Sequence, residues 1–203
     1  MRNPIPIHLA VEDPLSEDIL RVLLKRSRTR YAVGFCYRQG GFGYLKKNIA
    51  GFNNAAKGTP FLVLTDLDTA ECPPTLMEEW FSRPRHPNLL FRVAVREAES
   101  WILAHREALA KFLGIKSDKI PMNVDEIKDP KQCLINLARQ SSRSDLRRDI
   151  VPPPGRKQGP DYNGRLAEFV STYWRPAVAA TRSLSLKRTI VALDRFQPVW
   201  SRR

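Results

Sequence analysis

IPIHLAVEDPLSEDIL, residues 5–20, decides how the rest of the chain is read. Ile5 to Val11 is largely apolar, the pattern of a strand buried on both faces. Glu12 follows it, and Asp13-Pro14 then supplies an N-cap and a proline suited to the first helical position. Ile19, Leu20, Leu23 and Leu24 continue as a helical stripe. The same alternation recurs downstream. Tyr31 to Tyr37 reads as a second strand that ends at Gln39-Gly40-Gly41, and Leu45, Ile49 and Phe52 mark a second helix. Phe61 to Thr65 is a third strand, Leu76 to Phe81 a short third helix, and Leu89 to Val95 a fourth strand. One long amphipathic helix follows, carrying Trp101, Ile102, Leu109 and Phe112 and stopping near Gly114. Strands alternating with helices predict an α/β fold, a mostly parallel four-stranded sheet with helices on its faces.

Beyond Gly114 the periodicity is helical only, at 130–140, 162–173, 176–181 and 184–196. Residues 141–161 are polar, basic and proline-rich, and read as a mobile loop. The expected division is an α/β core at 1–115 and a basic helical lobe at 116–203, packed on or beside the core. Among 203 residues, 34 Lys and Arg outweigh 21 Asp and Glu, a net charge of +13, while 42% apolar residues suffice for a packed core. Residues 139–203 hold 14 of the basic and five of the acidic groups, a net +9. That third is the expected contact for a polyanion, nucleic acid above all.

Composition also excludes. No apolar run approaches the roughly 18 residues of a membrane span, and residues 1–9 lack a secretory apolar segment. The cysteines, Cys36, Cys72 and Cys133, lie far apart with only three histidines beside them, which argues against a disulfide scaffold or a zinc site. A soluble, cytoplasmic protein without membrane contact is expected.

The chemistry-bearing residues gather where a parallel sheet places function, at the carboxyl ends of strands. Strand one ends in Val11-Glu12-Asp13, with Glu17 one turn into the next helix, and strand three ends in Asp66-Leu67-Asp68. Residues two apart in extended chain point the same way, so Asp66 and Asp68 can address one point. Converging carboxylates repel one another unless a cation lies between them, and oxygen-only donors indicate Mg2+ or Mn2+. Asp13 is accounted for as a cap, and Glu17 as a first-turn acid. Glu97 and Glu99 follow strand four and open the long helix, where acids are also favoured by the helix dipole. Basic candidates for phosphate contact are Lys46 and Lys47, after Gly40-Gly41-Phe42-Gly43, and Lys187 with Arg188. The glycines lack the Walker spacing and read as a plain strand-to-helix loop.

Glu12 in AVEDPLSEDIL and Asp66 with Asp68 in FLVLTDLDTAE resemble the Toprim pattern, a glutamate after the first strand and Asp-x-Asp after the third. The similarity covers roughly residues 5–113. Within that superfamily the chain is most similar to small stand-alone proteins of bacterial defence loci related to the overcoming-lysogenization-defect nucleases. That group commonly carries a Glu-x-Trp helix after strand four, matched by Glu97, Glu99 and Trp101 in REAESWILAHREAL. One departure stands out: the Toprim glutamate is usually followed by glycine, and Asp13-Pro14 takes that place here.

The resemblance implies an Mg2+-dependent nuclease acting on DNA or RNA, an antiviral effector working with an ABC-type or AAA-type ATPase encoded nearby. It implies metal ligation by Asp66, Asp68 and Glu12, with Glu12 sharing the metal or acting as acid/base, and a second metal at Glu99 with Glu97. The alternative is a non-catalytic Toprim-like subunit that docks nucleic acid or a partner. A primase-like nucleotidyl transferase uses the same metal logic, but no separate nucleotide-binding domain supports it.

Overall fold

The computed structural model describes residues 3–200. Contacts divide the chain into two compact units, one comprising the residues up to Ala94 together with Arg188 onward, the other Val95–Lys187. The expected boundary near 115 therefore falls elsewhere, at 94/95, and the last residues of the chain return to the first unit.

The first unit is the α/β one. β1 (Ile5–Val11), α1 (Pro14–Arg26), β2 (Tyr31–Tyr37), α2 (Gly41–Ala55), β3 (Phe61–Asp66), α3 (Pro73–Trp80) and β4 (Leu89–Ala94) follow in order. All pairings are parallel, in the order β2-β1-β3-β4. The two inner strands are apolar because both their faces are covered: Ile7, Leu9, Leu62 and Leu64 on one face and Ala10 and Val63 on the other are fully buried. Crossovers of the usual right hand put α1 on one face and α2 with α3 on the other. In keeping with this, Phe42 of α2 meets Trp80 of α3 edge-on at 5.1 Å.

Local chemistry explains the ends of these elements. Asp13 accepts the Ser16 N–H at 2.7 Å, so it caps α1 as expected, with Pro14 in the first turn. Gly40 and Gly41 both have positive φ (78° and 60°), which glycine adopts without strain, and they turn the chain into α2. Their role is the turn. On β2, the Phe35 N–H bonds the His8 ring (3.0 Å) where the register with β1 shifts. A Cβ at Gly34 would lie 2.6 Å from that ring, so the close approach requires glycine.

The second unit is helical: α4 (Glu99–Leu103), α5 (Arg106–Leu113), α6 (Pro130–Arg139), α7 (Ser144–Ile150), α8 (Tyr162–Thr172), α9 (Pro176–Ala179) and the first turn of α10 (Leu184–Arg195). Trp101, Trp174, Tyr162 and Phe169 are buried at its centre. Two expectations are corrected here. The long helix after β4 is broken at His105 (φ −90°, ψ 59°), whose buried ring accepts the Arg175 N–H at 3.1 Å. This tertiary bond overrides the apolar periodicity. The segment 141–161 is not simply loop, because α7 buries Leu146 and Ile150 completely, and Asp149 binds Arg148 (2.8 Å) and Arg165 (2.7 Å). One apolar pair four residues apart was hidden among charges.

Candidate functional site

In the order β2-β1-β3-β4, the chain leaves β1 for a neighbour on one side and returns in β3 on the other. The crevice beyond the carboxyl ends of β1 and β3 is thus the switch point at which open α/β sheets bind ligands. Register sets what stands there. Val11 pairs with Leu64, so Glu12 comes level with Thr65, and Asp66 ends β3.

Glu12 is half-buried and spans the two strands. Its Oε1 accepts the Thr65 hydroxyl at 2.5 Å and the Asp66 N–H at 2.9 Å. Burial pushes its carboxyl up, these two hydrogen bonds oppose the push, and the negative charges of Asp68 and Asp13 add to it. The net effect is upward. Asp68 stands on the exposed turn after β3 with φ +48°, a left-handed conformation that Asp tolerates better than most residues. Partial desolvation raises its carboxyl too.

The three acids at positions 12, 66 and 68 therefore stand at the ends of adjacent strands, and Glu12 feels the charge of Asp68. Among the described residues, no group of three or more His, Cys, Asp or Glu side chains is already arranged to hold a metal. The donors fit a hard cation in kind, since all three are carboxylates. The 66–68 turn would have to supply the remaining approach.

Beside Asp68 a cleft of about 500 Å3 opens, lined by Phe42, Lys46, Leu67, Thr75 and Glu79 among others. Lys46 pairs loosely with Glu79 at 3.6 Å across it, and Lys47 is exposed on the same helix. Glu17 is engaged elsewhere, by Arg21 (2.7 Å) and Arg38 (2.9 Å).

Glu97 and Glu99 belong to the second unit, where each has a partner of its own. Glu97 accepts the Lys131 N–H at 2.7 Å in the first turn of α6. Glu99 is buried and accepts the Tyr162 hydroxyl at 2.9 Å. Trp101 is wholly buried and donates to Ser185 Oγ at 2.7 Å, a core residue as its spacing suggested. Lys187 and Arg188 are both exposed on α10.

Two arginines escaped the sequence reading. Arg92 on β4 hydrogen-bonds Thr189 (3.3 Å), and Arg85 bonds the Leu89 carbonyl. Burial lowers the Arg92 pKa first, and the neighbouring charges of Arg85 and Arg188 lower it further. Three guanidinium groups thus share one region of the first unit. An arginine inside an apolar strand (LLFRVA) was the signal that could have revealed it.

No family model, curated protein or solved structure matches the chain. The functional reading therefore rests on the site itself.

Proposed function

We propose that this protein is a metal-dependent phosphodiesterase, a nuclease acting on DNA or RNA, with a Toprim-like core. The observation that carries this reading is the placement of Glu12, Asp66 and Asp68 at the carboxyl ends of β1 and β3, the switch point of the sheet, with Glu12 hydrogen-bonded into the end of β3. Asp66, Asp68 and Glu12 would hold Mg2+ or Mn2+, which when bound polarises a phosphate and acidifies a water. The chain's own contribution begins with Glu12, whose raised carboxyl can hold or release a proton closer to neutral pH than an ordinary glutamate. Thr65 and the Asp66 N–H orient that carboxyl. Lys46 lines the adjoining cleft, and Arg85, Arg92 and Arg188 supply positive charge for a phosphate backbone. An antiviral role with an ATPase partner, and a second metal at Glu97 and Glu99, rest on the resemblance alone.

The test is cleavage of single- and double-stranded DNA and RNA by the purified protein with Mg2+ or Mn2+. Asp66→Ala is expected to abolish it with the circular dichroism spectrum unchanged. Equal cutting by that variant would remove the site from the reading.

A second reading has its own support. Glu12 Oε1 is spent on tying β1 to β3, and Asp13, where the Toprim pattern has glycine, is spent on capping α1. These are structural duties, and they suit a non-catalytic subunit that binds nucleic acid or a partner. Binding that persists in EDTA, with no cleavage under any divalent metal, would select it.

A further inference from the structure

The first unit has a second cavity, at the opposite end of the sheet from the acids. It opens where β1 begins and measures about 680 Å3, a volume within the range of small-molecule sites. Its walls include Ile5, Arg28 and Arg30 from the entry to β2, and Arg195, Phe196 and Trp200 from the end of α10 and beyond. Seven strand residues separate this mouth from Glu12, roughly 20 Å.

The walls are held in place by hydrogen bonds. Fully buried Asn88 pairs with Val199 in both directions, at 2.8 and 2.7 Å. The Tyr31 hydroxyl donates to the Leu193 carbonyl at 2.6 Å, and Thr29 donates to the Asp194 carbonyl at 3.0 Å. Asp194 is the one acid lining the cavity among the described residues, and its Oδ1 already accepts the Ser27 hydroxyl (2.8 Å) and the Arg28 N–H (2.9 Å). Three arginines thus line the space against a single carboxylate, which fixes the turn through Oδ1 and pairs with Arg28 through Oδ2 (3.9 Å). Trp200 is 51% exposed, whereas Trp80, Trp101 and Trp174 are buried. An indole half in solvent at the rim of a cationic cavity offers a stacking surface beside phosphate-binding groups.

We propose that this cavity binds one nucleotide unit, its phosphate on Arg30 and Arg195 and its base stacked on Trp200. Guanidinium forks match phosphate oxygens in pairs, and a planar base is the partner an exposed indole accepts. The assignment does not depend on the nuclease reading, because the cavity lies far from the acids. The unit bound is either a free nucleotide or the phosphorylated end of a strand.

The experiment is calorimetric titration of the full chain in EDTA with AMP, adenosine, inorganic phosphate and a 5′-phosphorylated trinucleotide. AMP is expected to bind saturably and to quench tryptophan fluorescence. Trp200→Ala and the double variant Arg30→Ala/Arg195→Ala should each weaken it about tenfold, the worth of one stacked base or a lost phosphate contact. All three side chains are exposed, so the variants should fold. AMP and trinucleotide of equal affinity would identify a free nucleotide as the occupant, and a much tighter trinucleotide a strand end. The assignment is overturned if neither binds at millimolar concentration, if phosphate alone binds as tightly as AMP, or if both variants bind like wild type. Asp66→Ala should bind AMP normally, so this outcome is separable from that of the cleavage assay.

Discussion

The acids of the first unit and those of the second meet opposite fates. Glu99 is buried, yet a Tyr162 hydroxyl bonds it, and Glu97 sits on the first turn of α6. Both are built into their unit. Glu12 and Asp68 lie nearer solvent, but each has its carboxyl raised, Glu12 partly by the charge of Asp68 itself. A buried acid that accepts good hydrogen bonds contributes to holding a fold, whereas acids that repel one another at a strand end weaken it unless something neutralises them. The raised Glu12 carboxyl is the one suited to proton transfer.

The sharpest way to break this contrast is to remove one acid from each region. Asp66→Ala should reduce metal-dependent cleavage to background while the protein still melts in one cooperative transition, since Asp66 ends β3 outside its apolar core. Millimolar Mg2+ should also raise the melting temperature of the wild type and leave that of Asp66→Ala unchanged, by mass action on the folded state. Glu99→Ala should do the reverse. It removes the acceptor that the buried Tyr162 hydroxyl bonds at 2.9 Å, at a cost of about 2 kcal/mol, which lowers the melting temperature by roughly 5 °C. Glu99→Gln, which keeps an acceptor, should recover most of that loss. If Glu99→Gln instead folds normally and loses all cleavage, Glu99 belongs with the metal ligands and the contrast fails.

How far the sequence foretold this contrast depends on how local each determinant is. The four strands, the cap at Asp13 and the acids after β1 and β3 follow from short-range pattern, because strand apolarity and N-cap chemistry are set within a few residues. The parallel order then follows from alternation, and with it the switch point. What stayed hidden depends on distant partners. The break at His105 needs the Arg175 N–H, seventy residues on. The burial of Glu99 needs Tyr162, and α7 needs the cover over Leu146 and Ile150. The return of the chain end to the first unit, which brings Arg188 towards Arg92 and closes the arginine-lined cavity, leaves no mark in local periodicity.

A finer probe is the pH dependence of stability. Glu12 has a folded-state pKa above its unfolded one, so the folded state binds more protons between the two values. Stability should accordingly fall as pH rises through that window, which begins near the ordinary glutamate pKa of about 4.3. Glu12→Gln retains an oxygen for the Thr65 hydroxyl and the Asp66 N–H but carries no charge. It should match the wild type below the window and exceed it at pH 8, measured by urea unfolding across pH. A gap that stays constant with pH would show that Glu12 is not held in a strained ionised state.

The smallest effect distinguishes Asp13 from its neighbour. Asp13 is an acid one residue from Glu12, so proximity alone would nominate it as a ligand. Its Oδ1 is nonetheless occupied by the Ser16 N–H at 2.7 Å, the geometry of an N-cap. Asp13→Ala should cost about 1 kcal/mol, the usual worth of such a cap, while Asp13→Asn and Asp13→Ser, which cap equally well, should cost nothing measurable. Cleavage should be nearly unchanged in all three. Because Asp13 also helps to raise the Glu12 carboxyl, Asp13→Asn should shift any acidic limb of the pH–rate profile slightly downward. Loss of cleavage in Asp13→Asn, with stability intact, would move Asp13 into the site and make the departure from glycine at this position a catalytic feature rather than a helical one.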